Sequence, residues 1–372
     1  MRDPFNVVFI GAGNVMFGSP EGAWNQALRW EQKLGARLNM LAIVDPDLPR
    51  VQRTLDGKRG DASLRNSYAN TEAFSAVADL VAAYKGKEDT IRAIVVGTPP
   101  AFRGGLAKGT DIELQIIKAF PKAQLFIEKP VAAGSVKDAY TVGETIESDG
   151  NRIVGVAYML RYLKAVGHIR KVIAERGLTV MATHARYATA YNAVAKPFWW
   201  DKSLSGGPVV EQATHFCDLS RFFGGSVVPG SVQARATEWN EPAGQLAKML
   251  VDESKIPEEQ RIPRVTSANW KYESGGVGSL LHVVAARSRF FADGHLFKLE
   301  DPYGKPLLRI RTPASDEEET LTFPGDDPFY SEVDAFVDAV ESGSSQGILS
   351  SFKDACGTYE LTWDIRTASE RK

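Results

Sequence analysis

Short apolar runs alternate with stretches of helical period through the first part of the chain. Asn6 to Ile10 is one such run and breaks at Gly11. Met40 to Val44 stops at Asp45-Pro46, and Ala93 to Val96 ends in Gly97-Thr98-Pro99-Pro100. Leu125 to Ile127 runs directly into Glu128-Lys129-Pro130, and Ile153 to Tyr158 is the fifth run. Runs this short and this apolar read as buried strands. The intervening residues 24–34, 71–84, 111–120 and 135–148 are periodic like helices. Gly35 closes the first; Ser135 with Asp138 opens the last as a capping box, and Gly150 stops it. Strands alternating with helices predict a parallel, doubly wound α/β sheet.

The texture changes after Tyr158. Residues 164–176, 211–223, 333–340 and 355–366 read as helices, and 180–187, 231–238, 267–271, 278–284 and 296–300 as strands of a larger sheet. A domain boundary is therefore expected near residue 158, giving domains 1–157 and 158–372, with the C-terminal helices free to pack back on the first domain. The length of 372 residues agrees, since one core rarely grows so large.

Charge narrows the function classes. The net charge is −2, and no basic block interleaved with aromatics occurs, so neither nucleic acid nor a membrane surface is an expected partner. No apolar run is long enough to span a bilayer, and Met1 to Phe5 runs at once into a strand without a signal-peptide core. Cys217 and Cys356 alone give no disulfide framework. The expectation is a soluble cytoplasmic protein acting on a small molecule.

The candidate chemistry collects where strands end. Gly11-Ala12-Gly13 follows a strand, as a dinucleotide fingerprint should: the glycines admit a pyrophosphate, and the turn at Asn14 and Val15 offers helix N-terminal amides. Met16 stands at the third fingerprint position. Asp45 is placed to accept bonds from an adenine ribose and to repel a 2′-phosphate, which favours NAD, while Arg50 and Arg53 could reach a phosphate and leave NADP open. Thr98 and Pro99 suit a donor-free wall beside a nicotinamide, and Lys129 aims a cation at a bound ligand. Farther on, Gly206-Gly207-Pro208 leads into Glu211, His215 and Asp218, spaced to share one helix face. An imidazole titrates near working pH, and Glu211 could orient it. No third His or Cys lies near, so no metal site is expected. Tyr191 and Trp200 belong to an aromatic-rich stretch suited to a cyclic ligand or to packing.

These motifs in this order resemble the Gfo/Idh/MocA family (glucose-fructose oxidoreductase, inositol dehydrogenase and rhizopine-catabolism proteins). The resemblance rests on Gly11-Ala12-Gly13, Thr98-Pro99-Pro100, Glu128-Lys129-Pro130, the strand leading to Arg161, and Gly206-Gly207 ahead of Glu211, His215 and Asp218. It implies an N-terminal Rossmann domain and a C-terminal α+β domain with a large, mostly antiparallel open sheet that often forms a homodimer or homotetramer interface. It also implies NAD(P)-dependent oxidation or reduction of sugars, polyols or related cyclic compounds. Lys129 then holds the substrate oxygen, His215 is the acid/base, Glu211 either orients it or contacts substrate, and Glu128 and Lys129 flank the nicotinamide. Arg161, Tyr191 and Trp200 are expected at the substrate. Relatives that hydrolyse glycosides with NAD, or sense dinucleotide without turnover, define the rival readings. Arg103 departs from the family, where many members carry His, and the segment from Pro100 to Lys129 is long for it.

Overall fold

The computed structural model describes residues 3–19, 22–148, 150–188, 196–245, 250–284, 296–312 and 315–371. The chain divides into two compact units, residues 1–159 with 327–356 and residues 160–326 with 357–372. The first unit holds strands β1 (Phe5–Ile10), β2 (Leu38–Val44), β3 (Glu72–Phe74), β4 (Ala93–Val96), β5 (Gln124–Ile127) and β6 (Val154–Val156). They form one sheet in the order β3-β2-β1-β4-β5-β6, every neighbouring pair parallel. The order reverses between β1 and β4, so the crevice outside their carboxyl ends is the switch point where such sheets bind ligands.

Local chemistry sets the helices. Asn25 caps the helix Gln26–Leu34 by accepting the Leu28 N–H at 3.0 Å, and Gly35, at φ 53°, closes it. Ser135 accepts from Asp138 N–H to start Val136–Glu147. Residues 71–84 are not one helical stretch. They divide into β3 and the helix Val77–Ala83, because Glu72 and Ala73 are exposed on an edge strand too short to show alternation. Trp30 is fully buried, with the rings of Phe5, Phe9, Phe126 and Phe336 at centroid distances of 5.8–6.3 Å. Each such pair contributes ~0.5–1.5 kcal/mol beyond its buried area. Phe336, Val333 and Val337 come from the helix Pro328–Ser342, which completes this core from more than 300 residues beyond Trp30.

The second unit carries β7 (Ala182–Ala188), β8 (Gln233–Thr237), β9 (Val265–Lys271) and β10 (Val277–Val283), ordered β7-β10-β9-β8. Only β7 and β10 pair in parallel. A separate antiparallel meander follows: β11 (Leu296–Glu300), β12 (Leu307–Thr312) and β13 (Ser315–Thr322). The described second-unit sheets are thus mostly antiparallel. β9 and β10 alternate buried and solvent-facing residues. Ala185, Ala268, Trp270 and Leu280 of this sheet pack with Phe216 and Cys217 of the helix Thr214–Gly224. β12 and β13 escape the sequence pattern because β13 is largely acidic rather than alternating.

Candidate active site

In the first unit, four strand ends converge on one edge of the sheet. Gly11 leaves β1 at φ 106°, and a Cβ there would lie 3.0–3.1 Å from the backbone of Gly97 and Thr98, so only glycine fits. Asp45, at the end of β2, is buried and ties this loop: its Oδ2 accepts the Ala12 N–H at 2.7 Å and its Oδ1 the Asp47 N–H at 2.9 Å. Gly13 precedes the short helix Asn14–Phe17, with nothing within 4 Å of where a Cβ would stand. Asn14 is exposed there, and Val15 leans on the core. Met16 turns inward instead. It is fully buried, and its Sδ lies 2.1 Å from the position a Gly97 Cβ would take. The missing side chain of Gly97 thus makes room for the bulky third fingerprint residue beneath the loop.

Thr98-Pro99 ends β4 and Glu128-Lys129 ends β5, and one side chain joins the two turns. Arg103, 2 % exposed, donates from Nε to Thr98 O at 2.9 Å and from Nη2 to Lys129 O at 3.3 Å. Burial holds the carboxyl of nearby Glu113 above its ordinary range, with the Arg103 guanidinium opposing that rise, and Glu113 accepts the Gly104 N–H at 3.0 Å. The planar fork of Arg suits two fixed acceptors, which His could not bridge in the same way. The half-buried Lys129 side chain stands on a backbone that Arg103 fixes.

In the second unit, the segment read as one helix over 211–223 is two. Pro208–Glu211 ends, and Thr214–Gly224 begins after a break in which the N–H groups of Gln212 and Ala213 both bond Pro208 O at 3.0 Å. The extra residue in this turn shifts Glu211 and His215 off a regular one-turn step; such insertions recur at functional sites. Gly206 and Gly207, at φ 77° and 94°, supply the left-handed turn ahead of it. His215 is buried in the first turn of the second helix, with the Tyr303 ring edge-on at 6.1 Å. Phe216 links Tyr303 to Tyr187, which stacks on its cross-strand partner His282 at 5.4 Å. Burial pushes the His282 imidazole down to about 4, so it is neutral at working pH; its Nε2 pairs with Gln212 Oε1 at 3.1 Å inside the helix break. Tyr187 belongs to the aromatic-rich stretch visible in the sequence, whereas Tyr303 and His282 have no sequence signal of their own; a loop contact and strand pairing reveal them.

Arg161 and Asp218 hold each other. Arg161 Nε and Nη2 donate to the Asp218 carboxylate at 2.7 and 2.5 Å, and both side chains are nearly inaccessible. Thr358 adds a third bond to Asp218 at 3.0 Å, and the guanidinium lies 4.7 Å from the Phe222 ring. Asp218, on the same helix as His215, is thereby a structural anchor. An Asp218→Ala change takes the carboxylate away from a buried guanidinium and should lower stability by about 3–5 kcal/mol. Urea unfolding checks this, and a loss under about 1 kcal/mol, as for a surface pair, would contradict it. Trp200 is fully buried with Ile256 and Ile262, and the Arg264 guanidinium lies 5.2 Å from its ring. Tyr191 lies outside the described residues. Among the described residues no cluster of three or more His, Cys, Asp or Glu could hold a metal ion, and no helix is long and apolar enough to cross a membrane.

Residues 5–158 match the family model described as "Oxidoreductase family, NAD-binding Rossmann fold" (GFO_IDH_MocA), and residues 161–295 match an oxidoreductase C-terminal domain. Two uncharacterized proteins of Schizosaccharomyces pombe, UNK4.17 and C12C2.04, are 43% and 42% identical over 98% and 96% of this chain, covering 91% and 95% of their own lengths. The chain belongs to the Gfo/Idh/MocA oxidoreductase family. As a member it is an NAD(P)-dependent oxidoreductase with a nicotinamide-dinucleotide-binding Rossmann domain. Solved structures share the fold at low identity. UDP-N-acetylglucosamine 3-dehydrogenase GnnA from Acidithiobacillus ferrooxidans is 16% identical, with TM-score 0.70 over 99% of both chains. KijD10, a 3-ketoreductase from Actinomadura kijaniata solved with NADP and TDP-benzene, is 14% identical, with TM-score 0.68 over 98% of both chains.

The residues of this family member fit a dinucleotide. The open face of Gly13 leaves the space a pyrophosphate needs, and the buried Thr98 Oγ1, just past the end of β4, has no hydrogen-bond partner among the described residues.

Proposed function

We propose that this enzyme transfers hydride between nicotinamide and the hydroxyl or carbonyl carbon of a sugar, polyol or related cyclic substrate, with NAD as its dinucleotide. One observation carries the reading: the ends of β1, β2, β4 and β5 bring Gly11, Gly13, Asp45, Thr98, Glu128 and Lys129 to one edge of a single parallel sheet. The sugar class draws support from the 3-dehydrogenase and 3-ketoreductase among the similar folds. When bound, the nicotinamide supplies or accepts the hydride. Gly11 and Gly13 admit the pyrophosphate, and Asp45 serves the ribose with acceptor capacity left over from its two backbone bonds. Lys129 holds and polarises the substrate oxygen. His215 exchanges the hydroxyl proton, with Glu211 setting its orientation. Arg161 acts through Asp218 on the His215 helix rather than on substrate. The same reading carries a cytoplasmic location and a homodimer or homotetramer formed through the second unit's sheet.

Titration of the purified protein with NADH and NADPH, followed by nicotinamide fluorescence, tests the cofactor reading. A buried carboxylate beside a 2′-phosphate disfavours NADPH, so NADH should bind about tenfold or more tightly. Asp45→Asn should narrow that gap. Equal affinity for both, or binding of neither, would overturn the reading.

A further inference from the structure

Behind the Glu128-Lys129 turn lies a buried polar cluster, two of whose members, Gln26 and Glu332, have no part in the mechanism above. Gln26, the first residue of its helix, donates from Nε2 to Glu128 Oε1 at 2.8 Å and to Glu332 Oε1 at 3.4 Å. The three residues come from separate elements: the helix after the glycine loop, the end of β5, and the helix Pro328–Ser342. They are only 2 %, 6 % and 2 % exposed, respectively. Two carboxylates sharing one amide in a dry site cannot both ionise cheaply. Among the described residues Glu332 Oε2 and Gln26 Oε1 are buried without hydrogen-bond partners, and a proton on Glu332 would give this acceptor-rich cluster a donor.

We propose that Glu332 is a positioning residue of the dinucleotide site, a neutral carboxylic acid that holds Glu128 beside Lys129 through Gln26. Burial pushes both carboxyls above the ordinary range, and Glu332 well above it, with the Glu128 charge as the second cause. Asp327 pushes Glu332 the same way, and Arg29 and the Gln26 amide oppose it. On Glu128, Gln26, Lys129 and Arg103 all favour the charged form. The proton therefore resides on Glu332, and Glu128 stays the better anion. Raising the pH ionises Glu332, sets two like charges against each other, and drives Glu128 from its place next to Lys129.

This inference rests on the dinucleotide reading, so its test separates the two. Thermal midpoints and NADH affinities of the wild type and Glu332→Gln are measured from about pH 6 to pH 9. Between the ordinary carboxylate range and its raised folded value, native Glu332 binds a proton that the unfolded chain has released. Stability must therefore fall as pH rises. The Gln variant, permanently neutral, should lose that part of the slope. Its NADH affinity should match the wild type within about twofold at pH 6 and stay flat, while the wild type weakens about tenfold by pH 9. Parallel profiles for the two proteins would overturn the proposal. Should the variant not fold, infrared spectroscopy of the wild type at neutral pH decides: a buried carboxylic-acid carbonyl band is expected, and its absence overturns the proposal. Failure of the wild type to bind NADH at all would sink the dinucleotide reading and this inference with it, whereas the stability slope is read without cofactor.

Discussion

Replacing His215 with Asn should lower kcat/KM by about 10²–10⁴, the usual worth of a positioned general acid–base group. Asn keeps a polar side chain of similar reach in the buried first turn of the helix Thr214–Gly224, against the Tyr303 ring, so the packing changes little. The helix itself is held independently by the Arg161–Asp218 pair and by its contacts with the second unit's sheet. NADH affinity should stay within about threefold, because the residues assigned to the dinucleotide belong to the first unit. The pH profile gives the sharper reading. The limb that reports the imidazole should vanish with the side chain. A variant that keeps both the rate and the wild-type pH profile would remove His215 from the mechanism.

Lys129→Met should cost about 10²–10³ in kcat, comparable to removing one donor aimed at developing charge. The methionine stem fills the same half-buried space, and Arg103 still grips the residue-129 carbonyl, so the turn keeps its shape. Dinucleotide binding should therefore persist while turnover fails. Steady-state rates beside a fluorescence titration separate the two quantities. Loss of binding with kcat intact would make Lys129 a cofactor ligand rather than the group that polarises the oxygen.

The first-unit sheet was legible because its strands are continuous apolar runs, as in Phe5–Ile10 and Ala93–Val96, closed by turn residues. β3 was not, since three residues on an edge leave no pattern. The break at Gln212-Ala213 was hidden because helical periodicity continues through it; only the shared Pro208 carbonyl reveals the extra residue. Among the candidate site residues, Gly11, Asp45 and Lys129 could be read at strand ends, where a parallel sheet presents its ligands. Arg103 reads in the sequence only as a departure from the family, because its bonds to two turns are set by tertiary structure. Met16 is bulky for the third fingerprint position, and the compensation lies in Gly97, whose contact no local pattern encodes. Gln26, Glu128 and Glu332 could not be associated from sequence at all. They are separated by 102 and 306 residues along the chain and meet only because the helix Pro328–Ser342 returns to the first unit.

The most direct test of hydride transfer is deuterium transfer from C4-labelled NADH, run against a panel of keto-sugars, nucleotide-linked keto-sugars and cyclic ketones and read by mass spectrometry of the products. The account predicts that at least one compound gains a single carbon-bound deuterium, in proportion to NADH consumed, and that Lys129→Met abolishes the gain. Tight NADH binding with no label passing to any compound on the panel would contradict it.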